Sequence, residues 1–471
     1  MALQLHFCNL IAGAVNFKLS ESQEQAVQRF ANFLYSGSNN SIFLLKGYAG
    51  TGKTSLISAI VNTLSGMEYN VVLLAPTGRA AKVFSSYSGK DAFTIHKNIY
   101  RQSGVEAGVE IFDLGYNKNR ETLYFVDEAS MITNNSFDSP FGTGALLDDL
   151  MSFIHNGKNN RLILIGDDAQ LPPVGSEFSP ALNAEELNIA YGMEVHSYAL
   201  THIVRQAEDS GILFNATILR NFIGEYGYPT LKLASFPDIK RIGGGELLEE
   251  LYSCYSKYGE DESLVICRSN KRANRFNQGI RGSVLYMEEA LNSGDRIMVV
   301  KNNYYSAKEY DGIDFIANGE MGTIRRVGKQ RELYGHKFAQ VDIELDDYGY
   351  EVNCWVMLDT LTTDAPALTS EESREFYLKV EADYSDIKSK KKRLEAIRAN
   401  EYYNALQIKF AYAVTCHKAQ GGQWDAVFID QGYLVEDMLC DEYWRWMYTA
   451  FTRARKQLYL LNFNEQFFEE E

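Results

Sequence analysis

The segment from Gly47 to Thr54, GYAGTGKT, fits the pattern GxxxxGK[ST] and lies between an apolar run, SIFLLK at 41–46, and a helix-compatible stretch. In that setting successive backbone amides can surround phosphate oxygens. Gly47, Gly50 and Gly52 allow the tight turn, with Ala49 and Thr51 between them. Lys53 is placed to reach the β and γ phosphates and the Thr54 hydroxyl to ligate magnesium, while Ser55 follows in a helix whose N-terminus adds positive potential. Downstream, the apolar run TLYFV at 122–126 ends in Asp127-Glu128. Asp127 suits a magnesium held through water, and Glu128 suits the orientation or deprotonation of an attacking water. A third apolar run, RLILI at 161–165, leads into GDDAQLPPV, Gly166 to Val174, where Gln170 is set to sense the γ phosphate. Taken alone, that stretch reads as a polar loop closed by Pro172-Pro173. The chemistry these residues describe is phosphoryl transfer from ATP with Mg2+ as cofactor. Such a site gains from cations supplied by a second domain, for which Arg205 and Arg453 are the candidates.

These residues need parallel strands that deliver them to one sheet edge, the carboxyl edge at which open α/β sheets bind ligands. The runs at 41–46, 70–75, 122–126 and 161–165 alternate with helix-compatible segments and predict one such sheet. A second series, SLVIC at 263–267, FAYAVTC at 410–416, AVFID at 426–430 and KQLYLL at 456–461, predicts another. The expected division is a first domain over 1–190, a second over 191–295 and 411–471, and an inserted β module with a charged helical stretch over 296–410. A polar insertion at about 98–120, carrying Tyr100, Phe112 and Tyr116, predicts a hairpin standing off the first domain.

At 471 residues the chain exceeds a single small module, and 45% hydrophobic with 23% charged residues is an ordinary globular composition. Its 46 basic and 62 acidic side chains give a net charge of −16, which disfavours loose adhesion to nucleic acid and requires any strand contact to be local. Six cysteines without a CxxC pair read as reduced thiols. The apolar first 17 residues lack a preceding basic stretch and read as structural, and a cytoplasmic enzyme without membrane contact is the expectation. The basic run Lys388 to Arg393 reads as a solvated helix face.

Assembled in order, the motifs resemble those of superfamily 1B helicases of the RecD/Dda type. LSESQ (19–23) is similar to the adenine-reading Q motif with Gln23, GYAGTGKT to motif I, APTGRAAK (75–82) to motif Ia, and TIHK (94–97) to the strand-contacting motif after it. DEASM (127–131) resembles motif II, GDDAQLPPV motif III, LTHIVRQ (200–206) motif IV with Arg205, VTCHKAQG (414–421) motif V, and YTAFTRARK (448–456) motif VI with Arg453 as finger. The resemblance implies an α/β fold of two RecA-like P-loop motor domains (1A and 2A) with an inserted hairpin (1B, the duplex-splitting pin) and an inserted SH3-like β module (2B). It implies 5′-to-3′ DNA unwinding by a monomer, on single-stranded DNA and single-strand/duplex junctions. Thr77, Arg79, Lys82, Thr94, His96, Thr415, His417 and Lys418 then become the strand-contacting set. Without the motifs, His96 and His417 read as core histidines. Trp424 is unassigned, and an RNA helicase or a non-unwinding ATP-switched binding module are the alternative readings.

Overall fold

The computed structural model describes residues 2–38, 40–106, 109–134, 141–203, 209–306, 315–346, 349 and 351–468. A six-stranded parallel sheet runs in the order Ala92–Thr94, Asn70–Ala75, Thr122–Val126, Arg161–Gly166, Ser41–Gly47, Glu194–Leu200. Its central strands are buried along their whole length, which is why they read as unbroken apolar runs rather than as alternation. The last strand corrects an expectation: Glu194–Leu200 pairs with the phosphate-loop strand, so the first sheet extends to Leu200 and not to a boundary at 190. As a half-exposed edge strand with His196 and Ser197, it carries no apolar run to announce it.

The helix Ala2–Ala14 packs on the helix Glu21–Leu34, with Phe7 and Phe30 centroids 5.9 Å apart. No helix among the described residues is long and apolar enough to cross a membrane.

A second parallel sheet has the order Ala413–Thr415, Ser263–Cys267, Trp424–Asp430, Ala454–Leu461, Ile239–Ile242. Between its strands the chain forms a closed five-stranded barrel of Arg296–Val299, Met321–Leu333, His336–Leu345, Glu351–Met357 and Leu406–Phe410. The run FAYAVTC, expected as one strand, is divided between them. Phe410 ends a barrel strand, and Ala413 begins a strand of the second sheet. Hydrophobicity reports only that both parts are buried. The break is made tolerable by Asn277, which donates to the carbonyls of Phe410 (3.1 Å) and Ala413 (2.9 Å) and accepts the Ala413 N–H (2.7 Å). The charged stretch between the fourth and fifth barrel strands forms two helices, Ser370–Asp383 and Lys390–Ala399.

The barrel and the second sheet share one core, in which Val265, Phe428, Ile297, Val341 and Ile408 belong to a single cluster. Their joint is also ionic. Arg281, on the helix Asn270–Ser283, donates through Nε to Asp295 Oδ1 at 2.7 Å, just before the first barrel strand. Tyr412 donates to the same oxygen at 3.1 Å. Asp295 is fully buried, so removing it strands a guanidinium in the core.

A two-stranded hairpin, Tyr100–Glu106 with Val109–Leu114, stands on the first domain. Its turn residues 107–108 lie outside the described residues. At its base Phe112 meets Phe141 (4.9 Å) and the barrel residue Tyr304 (4.6 Å).

Asp295→Ala is expected to destabilise the fused barrel and second domain by about 3–5 kcal/mol, measured as a lower unfolding midpoint in urea.

Candidate nucleotide cleft and strand groove

The strand Ser41–Gly47 delivers the phosphate loop, and the helix Lys53–Gly66 begins directly after Gly52. Gly50 (φ 77°) and Gly52 (φ 73°) occupy left-handed backbone that a side chain would strain. Thr51 Oγ1 donates to the Tyr48 carbonyl at 2.8 Å, and Lys53 Nζ folds back to the Gly47 carbonyl at 3.2 Å. Gln23 lies beneath this loop and not in the cleft. Its Nε2 donates to the Thr51 carbonyl (3.1 Å) and its Oε1 accepts the Ser20 N–H (3.0 Å), closing a capping box. The residue expected to read the base is therefore committed to holding the phosphate loop.

Asp127 and Glu128 leave the sheet edge together. Asp127 accepts the Tyr87 hydroxyl at 2.5 Å and the Glu128 N–H at 2.9 Å. Glu128 is left-handed at φ 51°, a conformation costing about 1–3 kcal/mol in a non-glycine residue and concentrated at functional sites. Burial raises the Glu128 pKa, and neighbouring Asp127 raises it further, against the opposing pull of Lys53 and Arg453. A more basic carboxylate is the better acceptor for a proton from water.

The cleft is a cavity of about 410 Å³ lined by Lys53, Thr54, Glu128, Asp167, Gln170 and Arg453. Glu128 Oε2 and Gln170 Oε1 are buried there without a hydrogen-bond partner. Two orphaned acceptors beside a hydroxyl and a carboxylate fit a hydrated Mg2+ with its nucleotide, for which Thr54 and Asp127 would be the holding residues.

The opposite wall comes from the second domain. Arg453 is 3% exposed, and its guanidinium donates to the carbonyls of Thr449 (3.0 Å) and Gly422 (3.1 Å) and to Thr452 Oγ1 (3.0 Å). It faces the cleft while held by its own domain. The second domain grips the loop carrying Asp167: from the helix Asp441–Phe451, Thr449 Oγ1 accepts the Leu171 N–H at 2.8 Å and Arg445 donates to the Asp168 carbonyl, while Gln420, after the short helix Cys416–Ala419, donates to the Leu171 carbonyl at 2.9 Å. Sequence reasoning missed these, along with Tyr87 and Tyr448. Thr449 and Tyr448 stand inside the motif VI stretch, the only local signal available. Arg205 lies outside the described residues.

The strand-contacting candidates gather on the side of Asn70–Ala75 and of Ala413–Thr415. Thr77 and Thr94 cap helices, accepting from Ala80 N–H (3.2 Å) and Lys97 N–H (3.2 Å). Arg79 stacks 4.1 Å over Trp424, which is 1% exposed, and so crosses between the domains. Lys82 donates to the Asp346 carbonyl of the barrel, and Lys418 donates to Asn318. Thr415 sits at the N-cap of Cys416–Ala419 with no side-chain cap bond. His96 packs against Phe141 (4.8 Å) and Tyr100 (5.7 Å), and burial lowers its pKa to about 4. Its imidazole is held toward the neutral form, in which one ring N–H is left to donate. Burial also lowers the pKa of His417.

Two parallel-sheet domains meeting over a phosphate loop, paired acids and a facing arginine define a P-loop motor with two RecA-like domains. The family model for an AAA domain matches residues 18–220, and that for the UvrD-like helicase C-terminal domain matches 410–461. The chain is 24% identical to the ATP-dependent RecD2 DNA helicase of Deinococcus radiodurans over 94% of its own length and 48% of that protein, thus spanning about half of it. It is 24% identical to the ATP-dependent DNA helicase dda of Enterobacteria phage T4, covering 82% of this chain and 86% of that one. An uncharacterised protein of Acanthamoeba polyphaga mimivirus is 22% identical over 93% and 98%. Among solved structures, the Bacteroides Pif1 helicase with ADP-AlF3 and ssDNA aligns at TM-score 0.47 and 16% identity, over 97% of this chain and 95% of that one. Through these matches the chain is similar to ATP-dependent helicases of the superfamily 1B, RecD/Dda type.

Glu128→Gln is expected to bind a fluorescent ATP analogue normally and to lose steady-state ATP hydrolysis by about 100-fold or more, as removal of a general base from a preorganised site does.

Proposed function

We propose that the protein is an ATP-dependent 5′-to-3′ DNA helicase that translocates on single-stranded DNA and opens duplex at a single-strand junction. The observation that carries this reading is the cleft itself: Lys53 and Glu128 come from one sheet and Arg453 from the other, so hydrolysis and domain movement share the same atoms. Lys53 and the loop amides neutralise the β and γ phosphates, Thr54 and Asp127 would hold Mg2+, which would supply further charge neutralisation, and Glu128 receives the water proton. Gln170, with its free acceptor, orients that water or the γ phosphate, and Arg453 and Arg205 meet the charge of the transferring group.

Loss of the γ phosphate removes the anion that draws both walls together, and the cleft reopens. Thr77, Arg79, Lys82 and Thr94 ride on one domain and Thr415, His417 and Lys418 on the other, so alternating grip on a strand backbone becomes a step. The DNA substrate is supported by the RecD2 and dda relatives, both named DNA helicases. The 5′-to-3′ direction rests on the resemblance of the motif set to superfamily 1B. The hairpin beside the groove is the reading's candidate for the element that splits the duplex.

Two identical duplexes, one with a 5′ and one with a 3′ single-stranded tail, test this. Only the 5′-tailed duplex should open, only with ATP, and not with the Lys53→Ala variant. Opening of the 3′-tailed duplex would reverse the polarity, and ATP hydrolysis stimulated by strands without any opening would favour a binding switch.

The groove also carries a pH signature. Burial lowers the Lys418 pKa to about 8, so its charge is present at pH 7 and lost by pH 9.5. The log–log salt dependence of strand affinity should therefore flatten by about 0.7 between these pH values, one phosphate contact on a single strand, and should not flatten in Lys418→Arg.

A further inference from the structure

Tyr448 projects from the helix Asp441–Phe451 of the second domain into the nucleotide half of the first, and it is 1% exposed. Its hydroxyl donates to Asp167 Oδ2 at 2.6 Å and accepts the Ala49 N–H at 3.0 Å. One oxygen thus joins the motif III carboxylate to the third residue of the phosphate loop, through partners 281 and 399 positions away in sequence. Nothing in the folding of either domain alone asks for a phenol here, since Thr449 and Gln420 already secure the neighbouring Leu171 backbone.

We propose that Tyr448 is the positioning residue that couples closure of the two motor domains to the geometry of the phosphate loop and to the charge of Asp167. With the cleft closed, both bonds hold. When the second domain moves away, both break together, releasing the Ala49 amide and leaving Asp167 without its donor. The loop therefore changes its hydrogen bonding whenever the second domain moves, with no need for a strand to touch the nucleotide.

The electrostatic surroundings give this a measurable consequence. Asp167 is 1% exposed and faces Lys53 from the phosphate-loop helix, its neighbour Asp168 and the Tyr448 phenol, while Glu128 and its own neighbours Asp127 and Arg453 complete the cluster. Burial raises the Asp167 pKa, and Lys53 and the Tyr448 hydrogen bond act against that rise. Burial also holds the phenol well above its ordinary value, so it remains a donor throughout the working range. Removing the hydroxyl removes a cause that lowers the Asp167 pKa. Asp167 then protonates at higher pH, and activity fails earlier on the acid side.

The inference rests on the helicase reading above, and Tyr448→Phe tests it because the ring and its packing are kept. The strand-stimulated kcat should fall about tenfold or more, the size of one hydrogen bond to a charged group. KM for ATP should change less than about twofold, because an interaction made only in the closed, reacting state lowers kcat and leaves ground-state binding intact. The acid limb of the kcat–pH profile should move toward neutral pH. An unchanged thermal midpoint separates these effects from misfolding, and Tyr448→Leu, which also lacks the hydroxyl, should show the same shift of the acid limb. A variant with wild-type kcat and an unmoved acid limb overturns the proposal, as does a rise in KM that accounts for the whole loss in kcat/KM. If the unaltered protein shows no strand-stimulated turnover, the helicase reading fails and the proposal falls with it. Stimulated wild-type turnover with an unaffected variant overturns the proposal alone.

Discussion

The structure depends on registering two separate sheets to within hydrogen-bonding distance across a cavity that each completes only by half. Phosphoryl transfer is governed by positioning and charge, so cations that arrive displaced by an ångström lose much of their value. The register is set by the loop that follows Arg161–Gly166, whose Leu171 backbone is held through both its N–H and its carbonyl by Thr449 and Gln420. That loop carries Asp167 and Gln170, and the helix that grips it ends at Phe451, with its C-cap Thr452 leading into Arg453. Regions that bond the domains together are therefore the same regions that line the cleft.

Electrostatics follows a similar economy. In a chain with net charge −16, the cations proposed for strand contact already have protein partners. Arg79 lies over Trp424, Lys82 reaches Asp346, and Lys418 reaches Asn318, so the groove is tied together by the very groups assigned to phosphates. These contacts join the first domain to the second and each of them to the barrel segment, so the placement of every one of these cations depends on how the second domain and barrel are placed.

The two insertions differ in how firmly they are built. The barrel is continuous with the second domain through a shared apolar core and the buried Arg281–Asp295 pair. Among the described residues, the hairpin is held at its base. Phe112, Phe141, Tyr304 and Phe315 form an aromatic cluster there, with Phe112 and Tyr304 4.6 Å apart and Tyr304 and Phe315 5.1 Å apart, so the hairpin is braced against the barrel as well as its own domain. Aromatic packing of this kind supplies large contact area with few rotatable bonds, which suits an element that must resist bending.

By itself the sequence singled out the glycine loop, the acids at Asp127 and Glu128, Gln170 and Arg453 as candidates, because each follows a local rule: a glycine pattern, an apolar run ending at a sheet edge, an ordered motif. It likewise announced the buried central strands of both sheets, whose two-sided burial leaves continuous apolar runs. Only the tertiary structure decided that Glu194–Leu200 joins the first sheet, that the run at 410–416 is shared by a barrel and a sheet, that Gln23 supports the loop from beneath, and that His96 is neutral among aromatics. Strand partners, hydrogen-bond commitments and local dielectric are properties of pairs of distant segments. No single stretch of residues carries them, and Tyr448, whose partners lie in two other motifs, is the plainest case.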